Sequence, residues 1–341
     1  MAMAAVLTGL GGYLPPKVVS NEDLSATLDT SDEWITVRTG IRQRHMVADG
    51  MSTGDLAVAA GARALKSAGH PAVDTVVVAT TSPDRLCPAV APEVAARLDL
   101  GTVAAFDLTS ACSGFVYGLA TAAGLIASEA ADTVLFIGAE AFTTLVNPAD
   151  RTTAPIFGDG AGAVVLRRGE QGEPGALGPF DLGSDGARAD LLAIPAGGSR
   201  QRSATGGPAH DAVPHEDWYL RMVGRPLYQH AVERMTQSAN TALKKAGWAV
   251  TDVDWFVGHQ ANARIVHAVA EELAVPEERT AVNIDRVGNT LSASIPLLLN
   301  DLAAEGALMP GHRIVLSAFG AGLSWGSTVL TWPDLSVESV H

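Results

Sequence analysis

One part of this chain repeats another, and that constrains its fold more than any other feature. Residues 157–166 read FGDGAGAVVL and residues 319–330 read FGAGLSWGSTVL. Ahead of each lies a β-branched or aromatic run, TVVVATT at 75–81 and DWFVGHQ at 254–260. Between run and echo, each part has an Asp-led loop that enters a helix. The first runs from Phe106-Asp107 to Cys112-Ser113-Gly114, the second from Ile284-Asp285 to Gly288-Asn289-Thr290. Three features recurring in one order, at different spacings, predict a duplicated core with its active site at a pseudo-twofold seam. A chain of 341 residues is long enough for two such units. The Gly-rich stretch GEQGEPGALG at 169–178 marks their boundary, giving an N-terminal half at 1–172 and a C-terminal half at 173–341.

Within each half, short β-branched runs alternate with Ala-rich helical stretches, which predicts an α/β protein built from βα units on a largely parallel sheet. Strands are expected at 75–80, 131–138, 254–257 and 313–317, and helices near 91–98, 120–130, 231–246 and 263–273. Residues 197–216 (GGSRQRSATGGPAHDAVPHE) lack apolar periodicity and are expected to form an exposed loop flanking the site. The FGDGAG segment resembles a dinucleotide loop. It leads into the strand-like AVVL, however, so no helix N-terminus would meet a pyrophosphate.

A net charge of −14 excludes non-specific nucleic-acid binding, so an anionic ligand has to meet a local basic patch. With 47% hydrophobic and 18% charged residues the chain is ordered. It lacks a signal-like N-terminus or an uninterrupted apolar span, and its two cysteines, Cys87 and Cys112, form no CxxC or zinc spacing. These features predict a soluble, cytoplasmic protein with no membrane association, no structural metal and no disulfide.

Cys112 stands where a strand gives way to an apolar helix, FDLTSACSGFVYGL. The positive end of a helix dipole favours thiolate there, which makes the residue a candidate nucleophile. His259 and Asn289 follow an apolar run or lie in a Gly-bounded loop, FVGHQAN and RVGNTLS. Such positions at strand ends gather ligands and chemistry.

Six blocks carry a resemblance: TSDEWITVRTGIRQRH (30–45), TSACSGFVYGL (109–119), DRTTAPIFGDGAGAVVL (150–166), GHQANARIV (258–266), GNTLSASIPLLL (288–299) and FGAGLSWGS (319–327). Together they resemble the β-ketoacyl-acyl-carrier-protein synthase III family of the thiolase superfamily. The resemblance implies a five-layered αβαβα thiolase fold, a homodimer, no cofactor, and a Cys-His-Asn triad on Cys112, His259 and Asn289. It also implies a reaction: Cys112 takes an acyl group from an acyl-CoA, and malonyl-acyl-carrier protein then condenses with it, releasing CO₂ and a 3-oxoacyl product for fatty-acid or polyketide-type biosynthesis. The backbone N–H groups of Cys112 and Ala321 would form the oxyanion hole.

By the same resemblance, Trp34 and Arg151 would sandwich the CoA adenine, with Arg38 and Thr39 beside them and Gly224, Asn262 and Arg264 along the channel. Cys87, Phe142, Phe157 and Phe319 would line the acyl pocket. Cys87 stands where many relatives place an aromatic residue that reaches across the dimer interface. A thiolase would need a second cysteine beyond residue 112, and none exists. Elongating ketosynthases have His at the position of Asn289. An offshoot that passes the acyl group from Cys112 to an alcohol or amine without decarboxylation would not need both His259 and Asn289, and a non-catalytic partner subunit would not need Cys112.

Overall fold

The computed structural model describes residues 3–207 and 212–340. The first half opens with β1 (Met3–Tyr13). A short pair, β2 (Lys17–Ser20) and β3 (Gln43–Met46), then brackets α1 (Asn21–Ser25) and α2 (Asp32–Thr39). There follow α3 (Thr53–Ser67), β4 (Thr75–Ala79), α4 (Ala91–Arg97), β5 (Ala104–Leu108), α5 (Gly114–Ala127), β6 (Thr133–Glu140) and β7 (Gly160–Glu170). The second half contains β8 (Leu177–Ser184), β9 (Leu192–Ala193), α6 (Ser199–Thr205), β10 (Arg221–Met222), α7 (Gly224–Ala246) and β11 (Trp255–Gly258). It closes with α8 (Ala263–Leu273), α9 (Ile284–Val287), α10 (Ser294–Ala304), β12 (Arg313–Gly320) and β13 (Ser324–Thr331).

Two large sheets result, ordered β1-β7-β6-β4-β5 and β11-β12-β13-β8, beside the two-stranded pairs β2-β3 and β9-β10. Alternation along each strand sends side chains to opposite faces. Val76 and Val78 therefore enter a core beneath α3 and α4, while Val77 and Ala79 enter a central core shared with α5 and α10. In the second sheet Val315 faces α7 and α8, and Ile314 and Leu316 face the centre. Helix, sheet, paired central helices, sheet and helix make five layers, the thiolase arrangement. The central helix α10 is covered on all sides, buried without a break from Ser294 to Leu302. At Gly118 an added Cβ would lie 2.0 Å from the Phe136 ring, so glycine lets α5 pack directly on β6.

Three expectations change. The sheets are mixed: β4 pairs in parallel with β5 and β6, but β7 runs antiparallel to both β6 and β1, and β13 runs antiparallel to β12 and β8. The echo is also offset, since 319–330 spans the end of β12, a turn and β13, whereas 157–166 lies before and within β7. Finally, the segment at 197–216 contains α6, whose buried Gln201 bonds Thr205 and the Gly197 N–H. Residues 208–211 lie outside the described ones.

Candidate active site

The two central helices begin alike. Ala111 (φ 43°) precedes Cys112 in a 3-10 turn before α5, and Leu291 (φ 49°) precedes Ser292 in a 3-10 turn before α10. Positive φ strains a residue with a Cβ, and finding it at matched points marks these turns as structural twins. The counterpart of Cys112 is therefore Ser292. The sequence-level pairing of Cys112 with the Gly288-Asn289 step is out of register, because the loops ahead of the two helices differ in length.

Cys112 is buried, with Gly320 at the end of β12 pressed against it. A Cβ on Gly320 would lie 2.7 Å from the Cys112 nitrogen and 3.0 Å from its Cβ. Burial first, and then the negative charge of Glu140, push the Cys112 thiol up to about 12. Its own backbone N–H opposes that shift. The resting nucleophile is a thiol, contrary to the thiolate expected from the helix N-terminus, because desolvation outweighs the dipole.

His259 follows β11 and is 1% exposed. Its Nδ1 lies 2.9 Å from Ser294 Oγ, which also accepts the Gln260 N–H at 2.9 Å. Nδ1 is thus engaged by Ser294, and when that hydroxyl donates to it the ring proton sits on Nε2. Nε2 is buried and has no partner. Burial pushes the imidazole down to about 3, so it is neutral.

Asn289 is held by its backbone, whose N–H donates to Ile156 O and whose carbonyl accepts the Gly158 N–H, both at 2.9 Å. Such close passage requires Gly158, where a Cβ would meet Val287 O at 2.3 Å. Asn289 Oδ1 accepts the Leu291 N–H at 3.0 Å, which leaves the Nδ2 amide free to donate.

Two cavities meet at Cys112. The first, of about 610 Å³, carries Cys112, His259, Asn289 and Phe319, with Arg38, Gly224, Arg225, Asn262 and Arg264 also on its wall. The second, of about 550 Å³, is apolar and bordered by Phe142, Leu145, Phe157, Leu220, Leu291 and Ala321 together with Cys112. Phe142 borders the second cavity and Phe157 both, their rings 5.1 Å apart, and Phe319 borders the first. Cys87 is exposed and borders neither cavity of its own chain, although the adjacent Leu86 borders the second. Gly197, Gly198 and Arg202 place the 197–216 segment against that cavity.

Of the expected CoA-binding residues, Arg38, Gly224, Asn262 and Arg264 border the first cavity. The Arg38 and Arg151 guanidinium groups lie 4.4 and 5.0 Å from the Trp34 ring centroid. Arg151 is paired with Asp29. Asn262 caps α8 by accepting the Arg264 N–H and donates to Arg38 O, joining α8 to α2. Thr39 departs from its expected role. It is buried, donates to Ile35 O at 2.7 Å and accepts the Ile41 N–H at 3.1 Å, so its hydroxyl closes α2.

Sequence reasoning missed Arg225, Ser294, Gly320 and Glu140. Arg225, beside Gly224 at the start of α7, carried the one usable signal, a basic residue at a channel position. Among the described residues none of Arg38, Arg225 and Arg264 is ion-paired with a carboxylate, no His, Cys, Asp and Glu cluster could hold a metal, and no helix is long and apolar enough to cross a membrane.

A five-layered fold with Cys112, His259 and Asn289 on the wall of one cavity is the frame of a thiolase-fold condensing enzyme. Residues 106–186 match the profile of 3-oxoacyl-[acyl-carrier-protein (ACP)] synthase III, and residues 243–332 match that of its C terminal region. The chain is 56% identical over 336 residues to beta-ketoacyl-[acyl-carrier-protein] synthase III 5 of Streptomyces coelicolor, covering 98% of this chain and 99% of that one. It superposes on the 3-oxoacyl-(acyl carrier protein) synthase III of Pseudomonas aeruginosa PAO1 with a TM-score of 0.90 at 49% identity, covering 98% and 99% of the two chains. The priming β-ketosynthase from the R1128 polyketide biosynthetic pathway gives a TM-score of 0.89 at 33% identity, covering 98% and 97%. The chain belongs to the 3-oxoacyl-[acyl-carrier-protein] synthase III family and is an acyltransferase.

Proposed function

We propose that this enzyme primes chain synthesis by condensing an acyl-CoA with malonyl-acyl-carrier protein through Cys112, His259 and Asn289. The Cys112 sulfur attacks the acyl-CoA carbonyl, the C–S bond to CoA breaks, and the thiol proton leaves on CoA. The N–H groups of Cys112 and Ala321 receive the oxyanion. Malonyl thioester then enters the first cavity. Loss of CO₂ places charge on its thioester oxygen, which His259 Nε2–H and Asn289 Nδ2–H stabilise. The enolate carbon attacks the acyl-Cys112 carbonyl and the thiolate departs with a proton from solvent. The products are CoA, CO₂ and 3-oxoacyl-acyl-carrier protein.

One observation carries this reading: His259 Nε2 and Asn289 Nδ2, neither with a partner among the described residues, belong to residues that share a cavity wall with Cys112. Two neutral N–H groups suit an enolate oxygen, because neither gives up its proton as a cationic imidazole would. The unpaired Arg38, Arg225 and Arg264 make the first cavity the entrance for CoA and carrier-protein phosphates, with Trp34 and Arg151 taking the adenine. The apolar second cavity takes the acyl chain, and in a homodimer Cys87 would face the partner's. Halves 1–172 and 173–341 then act as units that supply the nucleophile and the donors, in the cytoplasm.

Intact-protein mass spectrometry with a panel of acyl-CoAs tests this. The wild type should gain the acyl mass on Cys112 and lose it as 3-oxoacyl product when malonyl carrier protein is added. Turnover by Cys112→Ala at the wild-type rate would overturn the assignment.

A further inference from the structure

Behind the acyl cavity lies a carboxylate that no step of the condensation uses. Glu140 ends β6 fully buried, and it gathers donors from two separate segments, 80–82 and the turn at Ser292. The Thr81 N–H donates to both of its oxygens, at 3.2 and 3.0 Å. The Ser82 hydroxyl donates to Oε2 at 2.9 Å, with Thr80 at 3.4 Å, and the Ser292 hydroxyl reaches Oε1 at 2.9 Å. Burial raises its carboxyl to about 7 against these bonds, all of which favour the charged form.

The groups it holds adjoin the chemistry. Thr81, Ser82 and Leu291 border the acyl cavity. Ser82 Oγ also receives the Ala141 N–H, which anchors the backbone beside Phe142. Ser292, the twin of Cys112, has Glu140 Oε1 at 2.9 Å and Ala79 O at 3.1 Å, and its single proton goes to one or the other. This anchoring secures the strained turn whose Leu291 N–H aims the Asn289 amide. The nucleophile position of the second half thus serves as a strut.

We propose that Glu140 is a positioning residue for the condensation, with two arms. One arm, through Thr81 and Ser82, shapes the acyl cavity and so selects the primer. The other, through Ser292 and Leu291, orients Asn289 for decarboxylation. The proposal rests on the acyl-channel reading of the second cavity and extends it to what sets that channel's shape.

Glu140→Gln keeps the size of the side chain but loses an acceptor for converging donors. It should lower malonyl decarboxylation and also change relative kcat/KM across an acetyl-to-hexanoyl-CoA series, each by ~10-fold, the effect of about 1.4 kcal/mol. Ser292→Ala cuts only the second arm, so decarboxylation should fall by more than primer preference shifts, since Thr81 and Ser82 keep their anchor and only Leu291 of these three border residues loses its support. Acylation of Cys112 from acetyl-CoA, read by mass shift, should survive in both variants. If Ser292→Ala loses both half-reactions equally, or leaves decarboxylation unchanged, the positioning role is wrong. It is equally wrong if Glu140→Gln folds, by circular dichroism, and keeps the wild-type primer series. Should Glu140→Gln fail to fold, Ser292→Ala decides alone. A wild-type enzyme that gains no acyl mass on Cys112 in the same assay would instead defeat the underlying channel reading.

Discussion

Ser294 Oγ lies 2.9 Å from His259 Nδ1 and accepts the Gln260 N–H at the same distance, so one hydroxyl ties the ring to the backbone of the next residue. The donor role proposed for Nε2 needs the Ser294 hydroxyl to donate its proton to Nδ1, which its bond from the Gln260 N–H leaves it able to do. Ser294→Ala should therefore lower malonyl decarboxylation by ~10-fold, about 1.4 kcal/mol, while acylation of Cys112 continues. Separate assays of the two half-reactions check it, and an unchanged decarboxylation rate would return Ser294 to a packing role.

His259→Ala and Asn289→Ala each remove one enolate donor. Malonyl decarboxylation should drop by ~10²-fold or more in each, with acyl transfer to Cys112 better preserved. Equal loss of both half-reactions would mean that these side chains chiefly support the fold.

The state of Cys112 is testable directly. With the thiol pushed up to about 12, iodoacetamide alkylation of the free enzyme should keep rising with pH through 9 to 10 without levelling. Glu140→Gln, which removes the second cause of the shift, should be alkylated faster at a given pH. A plateau near neutrality would show that the helix N-terminus prevails over burial.

Stability should depend on pH through two opposed groups. The His259 pKa falls from 6.5 to about 3 on folding, so the unfolded chain binds its proton first and stability is lost as pH falls through that window. The Glu140 pKa rises from 4.5 to about 7, so the folded chain binds its proton first and stability is lost as pH rises through that window. Between 4.5 and 6.5 the two slopes oppose each other. Removing the carboxylate in Glu140→Gln should therefore make Tm fall more steeply from pH 6.5 to 4.5 than in the wild type. Parallel Tm-against-pH curves would show that Glu140 does not titrate in this range.

At the entrance, Arg264 stands over the Tyr228 ring at 5.9 Å without a carboxylate partner, and Arg225 lies nearby on the same cavity wall. Glu271 and Glu272, in the last turn of α8, weaken the basic face beyond. Arg264→Ala should raise the apparent KM for malonyl carrier protein at low salt, with the difference shrinking as salt increases. An unchanged KM at low salt would exclude Arg264 from docking.

Much of this was legible in the sequence, because it is written in local chemistry. Helix α8 spans Ala263–Leu273 as expected, with Asn262 as its cap and a regular apolar stripe. The TVVVA run is an internal strand, buried at every position because its sheet is covered on both faces, which favours a near-continuous apolar run. The motifs around Cys112, His259 and Asn289 likewise announce themselves through glycines and strand ends. What the sequence could not show depends on segments brought together from far apart. The mixed strand directions, the twinning of Cys112 with Ser292, the move of Phe319 to the first cavity and the gathering of Thr81, Ser82 and Ser292 on Glu140 all depend on packing between the halves. The thiol form of Cys112 and the neutral ring of His259 belong to that second group as well. Residue type and helix position predict how a group would ionise in water, but it is the folded interior that removes the water, and desolvation there decides the charge.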